Sequence, residues 1–359
     1  MLKGLKATLP QNLRPRWTTR KATAFSLAAG VHLLSLGLFV AGIFLVATGF
    51  PEIMPILLGA GVCGFAWLMR PKPGKMPSLD IVSRQDFPAL HALVNEVVQE
   101  LHGQPINTII VNEEFNAAYG VIGWRRVPVL WIGLPLWMAL GPQERLALLG
   151  HEVAHGVNGD GTRSFIVASA LSALDEWIGF LRAPLHHATT SSELFGGYAV
   201  WILSAPFAAL QSLLAQLLWL DKQQAEYFAD YLSSTISGTD ATVSMLQRLG
   251  SAEHLDDVLL RNAYSTSQSG ALIIDLFRQR ITRLPDREWQ RLARASQRED
   301  ARLDASHPPT GYRIEFLGAH PVTTPRLVAT EGRMRTIDTE LNKLEEGLGS
   351  RLIARYARD

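Results

Sequence analysis

The sequence predicts a mainly helical chain with a small β-sheet, an α+β fold whose globular part is carried on transmembrane helices. Three observations predict it: two apolar runs near the start, three short β-prone runs between positions 106 and 132, and helical periodicity through most of the chain beyond them.

With 359 residues, 47% hydrophobic and 19% charged, the chain can bury a sizeable core and still supply apolar segments to a bilayer. A formal charge of +1 lacks the basic excess that phosphate-backbone binding needs, which argues against a nucleic-acid partner. The one cysteine, Cys63, can form neither an internal disulfide nor a thiolate cluster, and its apolar surroundings give it a buried, inert role. A bound metal must therefore be held by imidazole and carboxylate.

Residues 1–21 form a basic N-terminus. Ala22 to Thr48 contains no charged residue and exceeds the roughly 20 residues that a spanning helix needs. A signal peptide would have a shorter apolar core, about 7–15 residues, and a cleavage site after it. Beyond a turn at Gly49 to Glu52, Ile53 to Met69 is a second run near the lower limit of about 17 residues. Residues 22–69 thus read as a helical hairpin in contact with membrane lipid. Lys3, Lys6, Arg14, Arg16, Arg20 and Lys21 precede it and Arg70, Lys72 and Lys75 come after it, against only Glu52 at the turn, so both flanks are expected in the cytoplasm.

Residues 70–163 open a polar domain after a Pro/Gly/Lys linker at Pro71 to Pro77. Asp86 offers an N-cap to a helix with Leu90, Leu93, Val97, Val98 and Leu101 on one face. Strands are expected at Ile106 to Val111, Asn116 to Ile122 and Val127 to Ile132, the last two joined by a hairpin turn at Gly123 to Arg126. Pro142 then suits the first turn of a helix whose apolar face is Leu146, Leu149 and Val153.

Within residues 164–220 lie two further apolar stretches, Ser164 to Leu181 and Tyr198 to Leu220. Asp175 and Glu176 burden the first, each costing about 2.5–3.5 kcal/mol at a bilayer centre, so either it spans with those acids facing a partner helix or a wet cavity, or the two stretches form a buried or interfacial helical hairpin over the polar domain. Residues 221–318 return to the polar domain. Residues 319–359 form a helical extension, with Met334, Ile337, Leu341, Leu344, Leu348 and Leu352 on one face of a C-terminal helix that packs on the domain.

The chemistry concentrates in His151-Glu152-Val153-Ala154-His155. Histidines four apart share a helix face and reach one ion, with Glu152 beside them as general base. A catalytic zinc takes three protein ligands and an open position for water. Glu226, in Ala225-Glu226-Tyr227-Phe228-Ala229-Asp230, is the candidate third ligand. Asp230, one turn further on the same face, suits the carboxylate that takes a ligating histidine's other N–H. His186 and His187 are adjacent, share no helix face, and fit a polar loop better than a metal.

These residues resemble the M48 zinc metallopeptidases, and among them the HtpX-like membrane proteases, with the CAAX prenyl-protein proteases as more distant relatives. The resemblance runs from the first hairpin to about Leu317 and is carried by HEVAH, by Glu226 to Asp230 after two apolar stretches, and by Ser306-His307-Pro308-Pro309 followed by Arg313-Ile314. It implies a zincin-like core with one zinc per chain on His151, His155 and Glu226, and Asp230 as companion to a ligand. It also implies that His307 and Arg313 line the site and steady the substrate or the oxyanion. Phe115 to Tyr119 resembles the family's Asn-Ala edge strand, so that Asn116 and Ala117 would pair with an extended substrate. The expected activity is hydrolysis of misfolded or membrane proteins, with protein or peptide substrates, at a bacterial inner membrane and facing the cytoplasm.

Three other readings fit less well. A prenyl-protein protease is expected to have more spanning helices, an intramembrane protease would bury HEVAH in a spanning helix, and a scaffold has no use for a complete set of ligands and base. Glu226 must return to the side of the membrane that holds His151, so the chain between them crosses an even number of times.

Overall fold

A computed structural model of the chain describes residues 19–68, 70, 80–123, 125–158, 160–186, 190–262, 269–297 and 307–356. The N-terminal lysines and arginines up to Arg16, the linker at 71–77, Trp124, His187 and Ser306 lie outside the described residues. In chain order the elements are α1 (Thr19–Gly49), α2 (Ile53–Leu68), β1 (Ile81–Val82), α3 (Pro88–Glu100), β2 (Thr108–Asn112), β3 (Ala117–Ile122) and β4 (Val127–Gly133). Then come α4 (Leu134–Ala139), α5 (Pro142–Val157), α6 (Asp160–His186), α7 (Ser191–Ser237), α8 (Thr239–Arg248) and α9 (Ala252–Asn262). Four further helices precede the last: α10 (Gly270–Thr282), α11 (Asp286–Gln297), α12 (Thr310–Ala319) and α13 (Glu331–Leu341), with α14 (Glu345–Tyr356) closing the chain. The residues group into two compact units, Arg16–Gly74 with Thr162–Asp221, and Lys75–Gly161 with Lys222–Asp359.

The first unit is helical. Small residues let α1 and α2 approach closely: a Cβ on Gly42 would stand 2.8 Å from the Gly59 carbonyl, and one on Gly59 2.6 Å from that of Gly42. Ala24, Ala28 and Val31 of α1 pack with Val167, Ala170, Leu174 and Trp177 of α6 and with Leu214 of α7. Polar groups on these faces find one another, as the Gln211 amide donates to Asp175 at 3.3 Å and Ser169 Oγ lies 3.2 Å from His32 Nε2. Asp175 of α6 thus has a polar partner on α7. Among the described residues, α1 and the Phe195–Ser237 part of α7 are long and apolar enough to cross a membrane. At 16 residues, α2 reaches about 24 Å, short of a hydrocarbon core of about 30 Å.

The second unit is built on a sheet of order β1-β2-β4-β3 among the described residues. β2 runs parallel to β4, with Ile110 beside Trp131, while β3 returns antiparallel, with Ala117 opposite Ile132. β3 is therefore an edge. The β3–β4 turn puts Gly123 at φ +70° and Arg126 at +55°, the left-handed backbone such a hairpin connection needs. The two-residue β1 has no sequence signal of its own; it adds to β2 through Ile81 and Val82. A continuous core joins the buried faces of α3, β2 and α5 to Phe277 of α10 and to Met334, Ile337, Leu341, Leu348 and Leu352.

Two local expectations are corrected. Asp86 does not cap α3: its carboxylate accepts from Ser83 Oγ at 2.6 Å, and Phe87 holds the N-cap position. The free N–H groups there go instead to Glu340 of α13, which accepts from Ala89 N at 2.8 Å and Leu90 N at 3.1 Å. The C-terminal periodicity belongs to two helices, because a 3-10 turn at Asn342–Leu344 interrupts it.

A buried carboxylate at the helix N-terminus should matter out of proportion to its size. Glu340→Ala is expected to lower stability by about 1–2 kcal/mol in chemical denaturation, and exposed Arg335→Ala by less than about 0.5 kcal/mol.

Candidate metal centre

α5 starts where Pro142 needs no hydrogen-bond partner, and the Glu144 carboxylate accepts the Gly141 N–H at 2.6 Å and Arg248 Nε at 2.7 Å. At its centre Gly150 permits close passage of α7: a Cβ there would stand 3.2 Å from Ser233 Cα, and Ser233 Oγ donates to the Ala147 carbonyl at 2.7 Å. That crossing sets the last three turns of α7 beside His151 and His155. A second glycine, Gly156, leaves room for the Tyr119 ring of β3, whose nearest atom would lie 2.7 Å from a Cβ at that position. The helix of the motif is thus framed by α7 on one side and by the edge strand on another.

The donors converge. His151 Nε2 and His155 Nε2 are 3.3 Å apart, and each lies 3.5 Å from an oxygen of Glu226, His151 from Oε2 and His155 from Oε1. A tetrahedral ion with bonds of about 2.0–2.1 Å separates its donors by about 3.4 Å; the imidazole pair has this spacing, and Glu226 offers each imidazole a different oxygen close to it. Glu152 is buried beside the pair, at 6% exposure. His307, half exposed at the start of α12, brings Nδ1 to 2.7 Å from Glu226 Oε2. With His151 and Glu226 it completes a group whose donor atoms all lie within 4.8 Å of one another.

Behind the donors stands a fully buried pair. Asp230 has no exposure; its Oδ1 lies 3.0 Å from His151 Nδ1, and it accepts from Arg313 Nε at 2.7 Å and Arg313 Nη2 at 2.6 Å. Holding Nδ1–H leaves His151 Nε2 directed at the donor cluster. Arg313 is 3% exposed; its Nε and Nη2 donate to Asp230, and Nη2 also lies 3.5 Å from His151 Nε2 and 3.6 Å from Glu226 Oε2, so its guanidinium stands against the donor cluster.

Burial opposes charge on each of these groups, and neighbours outweigh it. Hydrogen bonds to Asp230 and then to Glu226 raise His151 well above the ordinary imidazole value. His151 and His307 hold Glu226 far below the carboxylate range, Arg313 holds Asp230 below it, and Asp230 in turn raises Arg313. The pocket collects negative charge where an ion would sit, with a guanidinium behind it.

Asn116 and Ala117 open the edge strand, Asn116 through a carbonyl that accepts from Gly133 N at 2.8 Å. The helix crossing at Gly150 and Ser233 and the Tyr119–Gly156 contact are not foreseen from the sequence. A glycine immediately before the first histidine, on the helix face beside the motif, is the available signal. A second acidic group, Glu253, His254 and Glu288, has its charge met already, because Arg291 bridges the two carboxylates.

The model of Peptidase family M48 matches residues 84–329, more than half of the chain. The matched segment holds all the residues of the centre and leaves α1, α2, β1, α13 and α14 outside. No curated protein and no solved structure matches.

Breaking the buried pair should be costly and removing it whole should not. Arg313→Met is expected to destabilise by about 3–5 kcal/mol, and Arg313→Met with Asp230→Leu to recover most of that loss. Chemical denaturation of the two variants checks it; a single variant as stable as the parent would show the pair to be idle.

Proposed function

The chain belongs to peptidase family M48, and from that premise we propose that it is a membrane-anchored zinc endopeptidase, with His151, His155 and Glu226 holding the metal and Glu152 as base. It is a metallopeptidase by family. The observation that carries the finer reading is the pair of imidazole nitrogens 3.3 Å apart, each 3.5 Å from a different oxygen of Glu226, with a buried carboxylate beside it.

When bound, zinc would polarise the scissile carbonyl and lower the pKa of the attacking water to about 7. The chain's own residues do the rest. The Glu152 carboxylate takes the proton that the water loses as its oxygen bonds to the carbonyl carbon, and passes that proton to the amide nitrogen as the C–N bond breaks. Asp230 keeps His151 in the tautomer that leaves Nε2 free. Arg313 holds Asp230 through Nε and Nη2 and brings Nη2 to 3.6 Å from Glu226 Oε2, so its charge stands beside the donors as well as behind them. His307 stands at the open side, on Glu226, where it can donate to a substrate carbonyl once its bond to the carboxylate is released. The β3 edge pairs with an extended peptide beside Tyr119, which places main-chain hydrogen bonds at the entrance to the centre.

The apolar lengths of α1 and α7 support anchoring in a bilayer, and the basic flanks of the hairpin support a cytoplasm-facing centre. α6 is read as spanning with α7, its Asp175 turned to Gln211. Such a site suits clearance of misfolded or membrane proteins.

Cleavage of casein by the detergent-purified, zinc-loaded chain tests the activity. Glu152→Gln should abolish cleavage while zinc stays bound at one per chain, and a chelator should abolish cleavage until zinc is restored. Cleavage that persists in Glu152→Gln would remove Glu152 from the role of base. Asp230→Asn is expected to weaken zinc binding about 10–100-fold, read by competition with a chelating dye.

A further inference from the structure

We propose that the C-terminal helix α14 is a clamp on the loop Glu113–Asn116, and that through this loop it fixes the β3 edge on which an extended peptide is to pair. The inference rests on the reading of β3 as a substrate-pairing edge. It assigns a positioning role to Arg351 and Arg355, which lie beyond the segment matched to the family.

The loop is held from three directions. From α14, Arg351 Nε donates to Glu113 Oε2 at 3.1 Å while its Nη2 donates to Asp80 Oδ1 at 2.7 Å, and Arg355 Nη1 donates to Glu114 Oε1 at 3.2 Å. From beneath, the loop backbone crosses Gly133 so closely that a Cβ there would stand 1.7 Å from the Glu114 carbonyl oxygen and 2.6 Å from that of Asn116. Only glycine admits that approach, and Gly133 N–H donates to the Asn116 carbonyl at 2.8 Å. From the side, the Phe115 ring meets Phe277 of α10 edge to face, centroids 6.2 Å apart.

The side support also leads back to α14. Glu346 accepts the Gly270 and Ala271 N–H groups at 3.1 and 3.0 Å, an acid at the N-terminus of α10. Gly349 and Gly270 bring the two backbones together, since a Cβ on Gly349 would lie 2.0 Å from the Gly270 carbonyl oxygen. One helix therefore sets the loop directly through two arginines and indirectly through the helix that carries Phe277.

β3 pairs with β4 on one side only, so the position of its first residues depends on the loop that delivers them. The arginines are 38% and 57% exposed at their side chains. Ion pairs so exposed contribute little to global stability; what they restrict is the local freedom of a loop whose other side is closed by Gly133. The arrangement has the form of a positioning device for the edge strand.

The test compares the full zinc-loaded chain in detergent with Arg351→Ala/Arg355→Ala, with Arg355→Glu, and with Arg355→Glu/Glu114→Arg. Amide hydrogen exchange and steady-state cleavage of an extended peptide are read on each. In the double alanine variant, exchange at residues 113–122 is expected to speed about tenfold or more while α5 keeps its protection. KM should rise about three- to tenfold, with kcat within about twofold and zinc content unchanged. Arg355→Glu should reproduce part of the effect, and the charge exchange with Glu114→Arg should reverse it. Unchanged exchange in the loop, loosening spread equally through α5, or failure of the exchanged pair to rescue would each overturn the proposal. So would a loosened loop with an unaltered KM. Exchange needs no turnover, so a wild type that cleaves nothing would sink the peptidase reading by a result distinct from any of these.

Discussion

A carboxylate with no solvent exposure must be answered inside the protein, and the answer given to Asp230 organises the whole centre. Arg313 meets its charge through two hydrogen bonds and His151 takes the remaining direction. These three residues come from α7, α12 and α5, so one buried acid ties together the helix of the motif, the helix of the third donor and the helix that carries the guanidinium. The tie holds only because α5 and α7 can touch: Gly150 against Ser233 brings Glu226 within 3.5 Å of both imidazoles. A larger residue at 150 would push the carboxylates out of reach.

Around that knot the domain uses acids as caps. Glu340 closes the start of α3, Glu346 the start of α10, and Glu144 the start of its own helix α5. Two of these come from α13 and α14, which is why the C-terminal helices share the main core with β2 and α5. Asp338 extends the same logic by accepting from Trp137 Nε1 at 3.1 Å and Arg145 Nη1 at 3.0 Å.

Local chemistry and periodicity are legible in the sequence. Two histidines four apart announce a shared helix face; Pro142 announces where that helix begins; alternation and a glycine turn mark β3 and β4 to within two residues of their ends. The acids of Ala225 to Asp230 stand out because a three-ligand ion needs one more donor than HEVAH supplies. Long-range partnership is not legible. Nothing near Asp86 says that a glutamate some 250 positions away caps α3, so the nearest polar side chain is the only candidate that sequence offers. Resemblance places Arg313 at the site; its neighbours in space add a pairing with Asp230 that spacing in the sequence does not encode. A two-residue strand such as β1 is set by the partner it adds to and leaves no pattern of its own.

The central claim is that two imidazoles and one carboxylate, from α5 and α7, hold a divalent ion. X-ray absorption at the zinc edge of the loaded chain tests it most directly. The expected result is a shell of nitrogen and oxygen at about 2.0–2.1 Å containing two imidazoles, and one imidazole after His155→Ala. A shell with three imidazoles would bring His307 into the ligand set, and one that is unchanged in His155→Ala would place the ion elsewhere; either would contradict a centre built on His151, His155 and Glu226.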